Sequence, residues 1–269
     1  MNRITVTENI KAPRNFTISS PLYHVILLKQ NMHFMVDLIP YSVDRSVCIF
    51  LSPYQKFVTL EPSEISILAF HGDFYCIEYH KKEVACNGIL FNNIFSAPYI
   101  KLKPTLRQEI QELFQKINSL QERTEAFEES LIKAYLQVLL ALSSKEKQKS
   151  SPLESSEVIS PYANFNEIVE KFYIKQRSLG FYANYYQTTS GNLSKKIKTL
   201  YGKPPSVIIR ERLILEAKKL LHLTHKNISE IAYELSFEDE FYFSKYFKKE
   251  VGVSPKLYRQ KVGISIVAK

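Results

Sequence analysis

This chain is short of the residues from which covalent, metallic or membrane-bound scaffolds are made. Its three cysteines, Cys48, Cys76 and Cys86, form no CxxC pair, and their odd number argues against a disulfide framework. No apolar run reaches membrane-spanning length, and the opening MNRITVTENIKAP lacks the apolar core of a secretory signal. The expectation is therefore a cytoplasmic protein with no membrane partner. There is no GxSxG, no glycine-rich phosphate loop and no HExxH. Nothing asks for catalysis, so no enzyme activity, catalytic residue, cofactor or metal is expected. Acidic residues are also scarce in one part of the chain. Residues 1–160 hold 17 Lys+Arg and 17 Asp+Glu, whereas residues 161–269 hold 19 and 10, so the whole net charge of +9 lies in the last 109 residues. A basic half joined to a neutral one suggests that one of them meets a polyanion.

What is present in the first hundred residues is a series of short β-branched and aromatic runs: 23–30, 33–39, 46–51, 55–60, 64–70 and 73–79. Asn, Ser-Pro, Pro-Ser and Gly-Asp breaks separate them, a spacing that predicts a small antiparallel sandwich or barrel. The period then changes. Ile110, Leu113, Phe114, Ile117 and Leu120 predict a one-sided helix over 105–120. Phe127, Leu131, Tyr135, Val138, Leu139 and Leu142 predict another over about 124–143, with Thr124 as its N-cap. The Ser-rich stretch 143–161, closed by Pro161, reads as a linker. The expected organisation is a β-rich domain over 1–145, a linker over 146–161 and a helical domain over 162–269.

The helical part repeats a phrase. Residues 193–205 read LSKKIKTLYGKPP and residues 243–255 read FSKYFKKEVGVSP. Each predicts an amphipathic helix. Leu193, Ile197 and Leu200 share a face in the first copy, and Phe243, Phe247 and Val251 do so in the second. Gly202 and Gly252 stop the helices and a proline three residues on prevents continuation. Lys195, Lys198, Lys245, Lys248 and Lys249 stay off the apolar stripes. Each helix has a shorter one before it, LGFYANYY (179–186) and ISEIAYEL (228–235), with Ala183 and Ala232 at the crossing. This is the helix-turn-helix arrangement, whose second helix enters the DNA major groove. Between the copies, 205–223 predicts a buried helix of ~28 Å. It would set two such units on successive groove segments ~34 Å apart.

Residues 163–260 resemble the DNA-binding domain of the AraC/XylS family of bacterial transcription regulators. The resemblance rests on ISEIAYELSFEDEFYFSKYFKKEVGVSPKLYR (228–259), RERLILEAKKLL (210–221) and YANYYQTTSGNLSKKIKTLYGKPP (182–205). The N-terminal half resembles the cupin-like sensor domains that precede this module, its two trailing helices matching their dimerisation helices. The fold so implied is α+β with two domains: a cupin-like β-barrel with two trailing helices, then an all-α double helix-turn-helix. The function so implied is sequence-specific binding of double-stranded DNA by a homodimer whose N-terminal domain senses a small-molecule effector.

The resemblance places Ser190, Gly191, Asn192, Lys195 and Lys196 toward the groove in the first unit, with Ser194 and Lys198 beside them. Asn192 could pair with adenine and Lys195 with guanine, or Asn192 could merely cap; Thr189 is the expected N-cap. The second unit departs from the family, with Glu240-Phe241 where members often carry Pro-Ser, and Lys245 in place of Arg. Glu240 could accept from a cytosine amino group and Phe241 could touch a thymine methyl, or both could lack a readout role. Ser244, Lys245, Lys248 and Lys249 read as backbone contacts. Arg210 and Arg212 either touch phosphate or pair with Glu211 or Glu216. Phe237, Phe243, Phe247, Ile231 and Leu235 read as core.

In the N-terminal half, Cys76, Glu78 and His80 alternate, with His71 and Asp73 just before them. The His-x-His and Glu pattern of metal-binding cupins is missing, so a structural role is expected. Two rival readings remain: a cupin-type metalloenzyme with an accessory DNA-binding tail, and a regulator whose N-terminal half only dimerises or binds a protein.

Overall fold

The apolar runs of the N-terminal half are continuous because one sheet is covered on both faces. The computed structural model describes residues 4–29, 31–75, 90–91, 93–121, 126–149 and 160–264. Nine strands are described: β1 (Ile4–Ala12), β2 (Thr17–Ile18), β3 (Tyr23–Leu28), β4 (Met32–Val36), β5 (Ile39–Val43), β6 (Val47–Leu51), β7 (Phe57–Thr59), β8 (Ser63–Phe70) and β9 (Tyr99–Lys101). They form a five-stranded sheet in the order β1-β8-β3-β6-β9 and a four-stranded sheet in the order β2-β7-β4-β5, antiparallel throughout. The first eight strands follow a jelly-roll order. The expected cupin-like barrel is thus an open two-sheet sandwich rather than a closed cylinder.

Along β3, Ile26 and Leu28 join Ile49, Leu51, Ile65, Phe34 and Phe57 in the core between the sheets. Val25 and Leu27 point the other way. They pack with Phe50, Leu68 and Phe70 against two helices, α1 (Pro104–Leu120) and α2 (Ala126–Lys149). A strand buried on both faces needs no polar alternation, and each such Leu or Ile contributes about 1.5–3 kcal/mol relative to exposure.

Several expectations are corrected in detail. The segment 33–39 is not one strand. It breaks at Asp37-Leu38, whose φ values of 47° and 70° have the signs a two-residue type I′ hairpin requires. Asp37 is held there by its carboxylate, which accepts from Lys56 N at 2.8 Å and Gln55 Nε2 at 3.0 Å. Residues 73–75 are turn and bend rather than strand, with Phe74 and Tyr75 buried. Cys76, Glu78, His80 and Cys86 lie outside the described residues, as does Thr124. Of the cluster around them, His71 Nδ1 lies 3.3 Å from Asp73 Oδ2.

Helix α1 buries Ile110, Leu113, Phe114 and Ile117, as its spacing predicts. Helix α2 buries only part of the expected face: Leu139 is buried, and Tyr135 and Leu142 pack against the core. Its packed side is Ile132, Leu136, Leu139 and Leu140, while Phe127, Leu131 and Val138 are exposed at 82%, 45% and 45%. The helix also continues to Lys149, past the expected start of the linker. Ser143 is fully buried there, and Lys147 Nζ donates to Tyr99 O at 3.1 Å, so the polar residues extend the packed face.

The C-terminal unit holds α3 (Phe165–Phe172), α4 (Leu179–Tyr185), α5 (Ser190–Tyr201), α6 (Pro205–Leu223), α7 (Ile228–Glu234), α8 (Glu240–Val251) and α9 (Pro255–Val262). By contacts, the chain divides into Met1–Asn92 with Pro98–Ser150, and Asn93–Ala97 with Ser151–Lys269.

His24 on β3 is 5% exposed, and burial lowers its pKa from 6.5 to about 4. The unfolded chain therefore takes up this proton first. Stability from the neutral ring is complete above about pH 6.5 and falls as the pH drops toward 4, by roughly 3 kcal/mol in all. Chemical denaturation at several pH values should show that slope, and His24→Gln should flatten it. An equal slope in the variant would assign the acid sensitivity elsewhere.

Candidate nucleic-acid interface

The two units that carry the repeated phrase are built by the same local chemistry. In the first, Ser178 caps α4 and Thr189 caps α5, its side chain accepting from Asn192 N at 3.2 Å. The turn between them is closed by Thr188 N donating to Ala183 O at 2.9 Å, with Gln187 at φ 49°. In the second, Asn227 and Glu230 form a reciprocal capping box on α7, and Asp239 caps α8 by accepting from Tyr242 N at 2.7 Å. Phe237 N donates to Ala232 O at 2.9 Å, with Ser236 at φ 56°. Ala183 and Ala232 are 3% and 0% exposed, as a small residue at a helix crossing should be. The second turn is one residue longer, 235–239 against 186–189. Gly202 and Gly252 end α5 and α8 at φ 72° and 89°, a conformation glycine adopts without the cost a Cβ would add.

Both second helices bury an apolar stripe and turn a basic one outward. In α5 the buried residues are Leu193, Ile197 and Tyr201; Leu200, expected on that face, is only half-buried. In α8 they are Phe243, Phe247 and Val251. Ser190, Gly191, Asn192, Lys195, Lys196 and Lys198 are exposed, and Ser194 is half-buried. On α8, Phe241 is 81% exposed, Lys245, Lys248 and Lys249 are exposed, and Glu240 and Ser244 are half-buried. Helical spacing puts Gly191, Lys195 and Lys198 in one line, and Phe241, Lys245 and Lys248 in the corresponding line fifty residues on. The open ends differ. The first turn of α5 has no acid, whereas that of α8 carries Glu240 behind its Asp239 cap.

Asn192 does not cap α5. Thr189 does, and Asn192 Nδ2 instead donates to Thr188 Oγ1 at 2.7 Å. That bond fixes the amide at the exposed helix start and leaves Oδ1 as an acceptor. Thr188 is therefore a contributor that reading the sequence missed, since its role depends on the turn conformation.

The arginines of α6 are held by carboxylates, and Glu216 is the expected partner for Arg212 but not for Arg210. Arg210 Nε pairs with Glu250 Oε2 at 2.9 Å, joining α6 to α8, and not with Glu211 or Glu216. Arg212 is 9% exposed and unavailable to phosphate. It meets Glu170 at 2.7 Å and Glu216 at 2.9 Å, and stacks over Tyr173 at 4.1 Å. Lys203 at the start of α6 is 5% exposed and pairs with Glu211 at 2.8 Å. Arg177, unnoticed in the sequence, joins the two units. It lies over the Phe237 ring at 4.0 Å and donates to Leu235 O and Ser236 O in the second turn. No local pattern marks it, because its partners are some sixty residues away. The residues expected to be core are so: Ile231, Leu235, Phe237, Phe243 and Phe247 are all buried. Phe237 and Phe243 lie 5.2 Å apart, and Phe243 and Phe247 lie 5.9 Å apart.

With this geometry in place, the comparisons with known proteins are direct. A family described as a helix-turn-helix domain matches residues 182–261. Residues 182–261 form an AraC-type helix-turn-helix domain. The chain is 24% identical over 241 residues to the virulence regulon transcriptional activator VirF of Yersinia enterocolitica, covering 87% of each. It is 35% identical over 85 residues to the transcriptional activator RhaR of Cronobacter sakazakii, covering 32% of this chain and 30% of that protein. Among solved structures, the fatty-acid-bound ToxT of Vibrio cholerae is similar at 16% identity and a TM-score of 0.42, over 97% of each chain. The match runs from Tyr182 within α4 through α5, α6 and the second unit to Lys261 in α9.

Proposed function

We propose that this chain binds double-stranded DNA with α5 as the principal reading helix and α8 mainly as a grip. The chain is a DNA-binding transcription regulator, and this division of labour rests on the contrast between the two helix starts. Ser190, Gly191 and Asn192 offer an uncharged, exposed, side-chain-poor edge that a base can approach. Asn192 presents an amide suited to adenine, and Lys195 one turn on suits guanine O6 and N7. On α8 the carboxylates of Asp239 and Glu240 oppose phosphate at the same end. Lys245, Lys248 and Lys249, with Ser244, supply charge to the backbone, and Phe241 offers a ring to a thymine methyl. Lys196, Lys198 and Ser194 support α5 in the same way. Arg210, tied to Glu250, acts by bracing α8.

The N-terminal sandwich is read as the sensing and dimerising part, with no catalytic role and working in the cytoplasm, where the DNA is. The organisation over 1–145, 146–161 and 162–269 carries that reading, with the first boundary moved to the end of α2 at Lys149. The effector reading rests on the resemblance of this half to the cupin-like sensor domains that precede such DNA-binding modules. The exposed Phe127, Leu131 and Val138 line of α2 supports a homodimer, because an apolar stripe left in water is stabilised by a second copy.

Three measurements test these readings. Asn192→Ala with Lys195→Ala should weaken binding to the specific site more than to random DNA, by roughly tenfold or more. Lys248→Ala should lower the salt slope by about one unit and leave specificity nearly unchanged. Equal losses on both DNAs would remove α5 as the reader, and an unchanged slope would remove Lys248 from the phosphate contacts. Sedimentation of the intact chain should give a dimer that Leu131→Glu dissociates. A monomer in the parent, or a dimer unaffected by the change, would end the α2 assignment.

A further inference from the structure

The outer face of the five-stranded sheet is not packed evenly. Near the middle of β1 the pairing with β8 slips between Thr7 and Ile10, and Asn9 adopts φ 54°. Such a bulge bends the strand and opens space beside it. A cavity of about 180 Å³ lies here, between β1, β3, β8 and the first turns of α1. Asn9, Lys29, Glu64, Ser66, Arg107 and Gln111 contribute its polar lining. It lies on the helix-covered side of the sheet, outside the apolar space between the two sheets, which Phe34, Phe57 and their neighbours fill.

The charges of this cavity do not cancel. Lys29 and Glu64 pair with each other at 2.8 Å, which leaves Arg107. Its Nε is buried and has no hydrogen-bond partner among the described residues. A buried guanidinium N–H without an acceptor is costly, and it is the kind of orphan that a ligand satisfies. We infer that this cavity is a binding site for a small monocarboxylate carrying a hydroxyl group. The planar fork of Arg107 matches a carboxylate, and one uncompensated positive charge suits a monoanion. A dianion would also meet the Glu64 carboxylate. The Ser66 hydroxyl, which accepts from Asn9 N at 3.1 Å, and the Gln111 amide stand ready for the hydroxyl group. Size sets the upper limit. A cavity of about 150 Å³ admits benzene, so this one takes roughly six to eight non-hydrogen atoms and no long acyl chain. The site stands on the cavity itself; only its consequence for DNA rests on the effector reading above.

Calorimetric titration of the intact chain tests it, with lactate, 3-hydroxybutyrate and butyrate as probes and with phosphate and octanoate as controls. Lactate or 3-hydroxybutyrate should bind saturably, one per chain, and more tightly than either control. Arg107→Gln should raise its Kd by roughly tenfold or more, with Arg107→Lys falling between. Ser66→Val, which keeps Arg107 in place, should reduce the preference for the hydroxylated acids over butyrate and serves if Arg107→Gln does not fold. No saturable binding of either hydroxy acid up to about 10 mM would overturn the inference. So would undiminished binding by folded Arg107→Gln, or octanoate binding as tightly. The same ligand is then added to a DNA-binding assay. Binding to the cavity with no change in DNA affinity would leave the site standing and end the effector reading.

Discussion

Everything in the C-terminal unit depends on one buried helix. Helix α6 touches α3, α5, α7, α8 and α9, and its Ile208, Ile209, Leu213, Ala217 and Leu221 are almost fully buried. Its nineteen residues make a rod of ~28 Å, on which both helix-turn-helix units are mounted. The charged side chains of this rod are spent on holding it. Arg210 reaches α8, Arg212 reaches α3 through Glu170, and Glu211 accepts from the buried Lys203. Arg177 completes the frame from outside α6, by clasping the turn of the second unit. A charge that bridges helices within a half-buried site contributes more to fixed geometry than an exposed pair, and fixed geometry is what two groove-reading helices need.

The N-terminal unit solves a different problem, that of covering a sheet. Its five-stranded layer is sealed by the second sheet on one side and by α1 and α2 on the other. Two places escape this cover. One is the bulge in β1, where polar side chains and an unsatisfied guanidinium meet. The other is the outer line of α2, where Phe127, Leu131 and Val138 are exposed. Packing alone explains the rest of the domain, so these two are where binding partners are to be sought.

The helical half was the more legible from sequence, for a physical reason. Its instructions are local: caps at Thr189 and Asp239, left-handed glycines at 202 and 252, and stripes whose partners lie within a few turns. The β-rich half hides its rules. A hairpin at Asp37-Leu38 leaves no Gly or Asn for a reader to find, because the Asp37 carboxylate holds the turn through Lys56 and Gln55. The face of α2 is legible only in part, Leu139, Tyr135 and Leu142 packing as expected, because the helix has a second apolar line and periodicity cannot say where the sheet meets it. Arg210 and Arg177 are illegible in a third way, because their partners are 40 and about 60 residues distant. Arg212 makes the pairing with Glu216 that four-residue spacing allows, and only its reach to Glu170 lies beyond the sequence.

The account's central claim is that α6 holds two helices at a fixed separation on DNA. The most direct measurement is the affinity of the intact chain for two duplexes, one ending at the footprinted segment read by α5 and one extending about fifteen base pairs past it on the side of α8. The rigid frame predicts that the longer duplex binds more tightly and with a steeper salt dependence, because only it reaches the lysines of α8. Equal affinity and an equal salt slope on the two duplexes would contradict it.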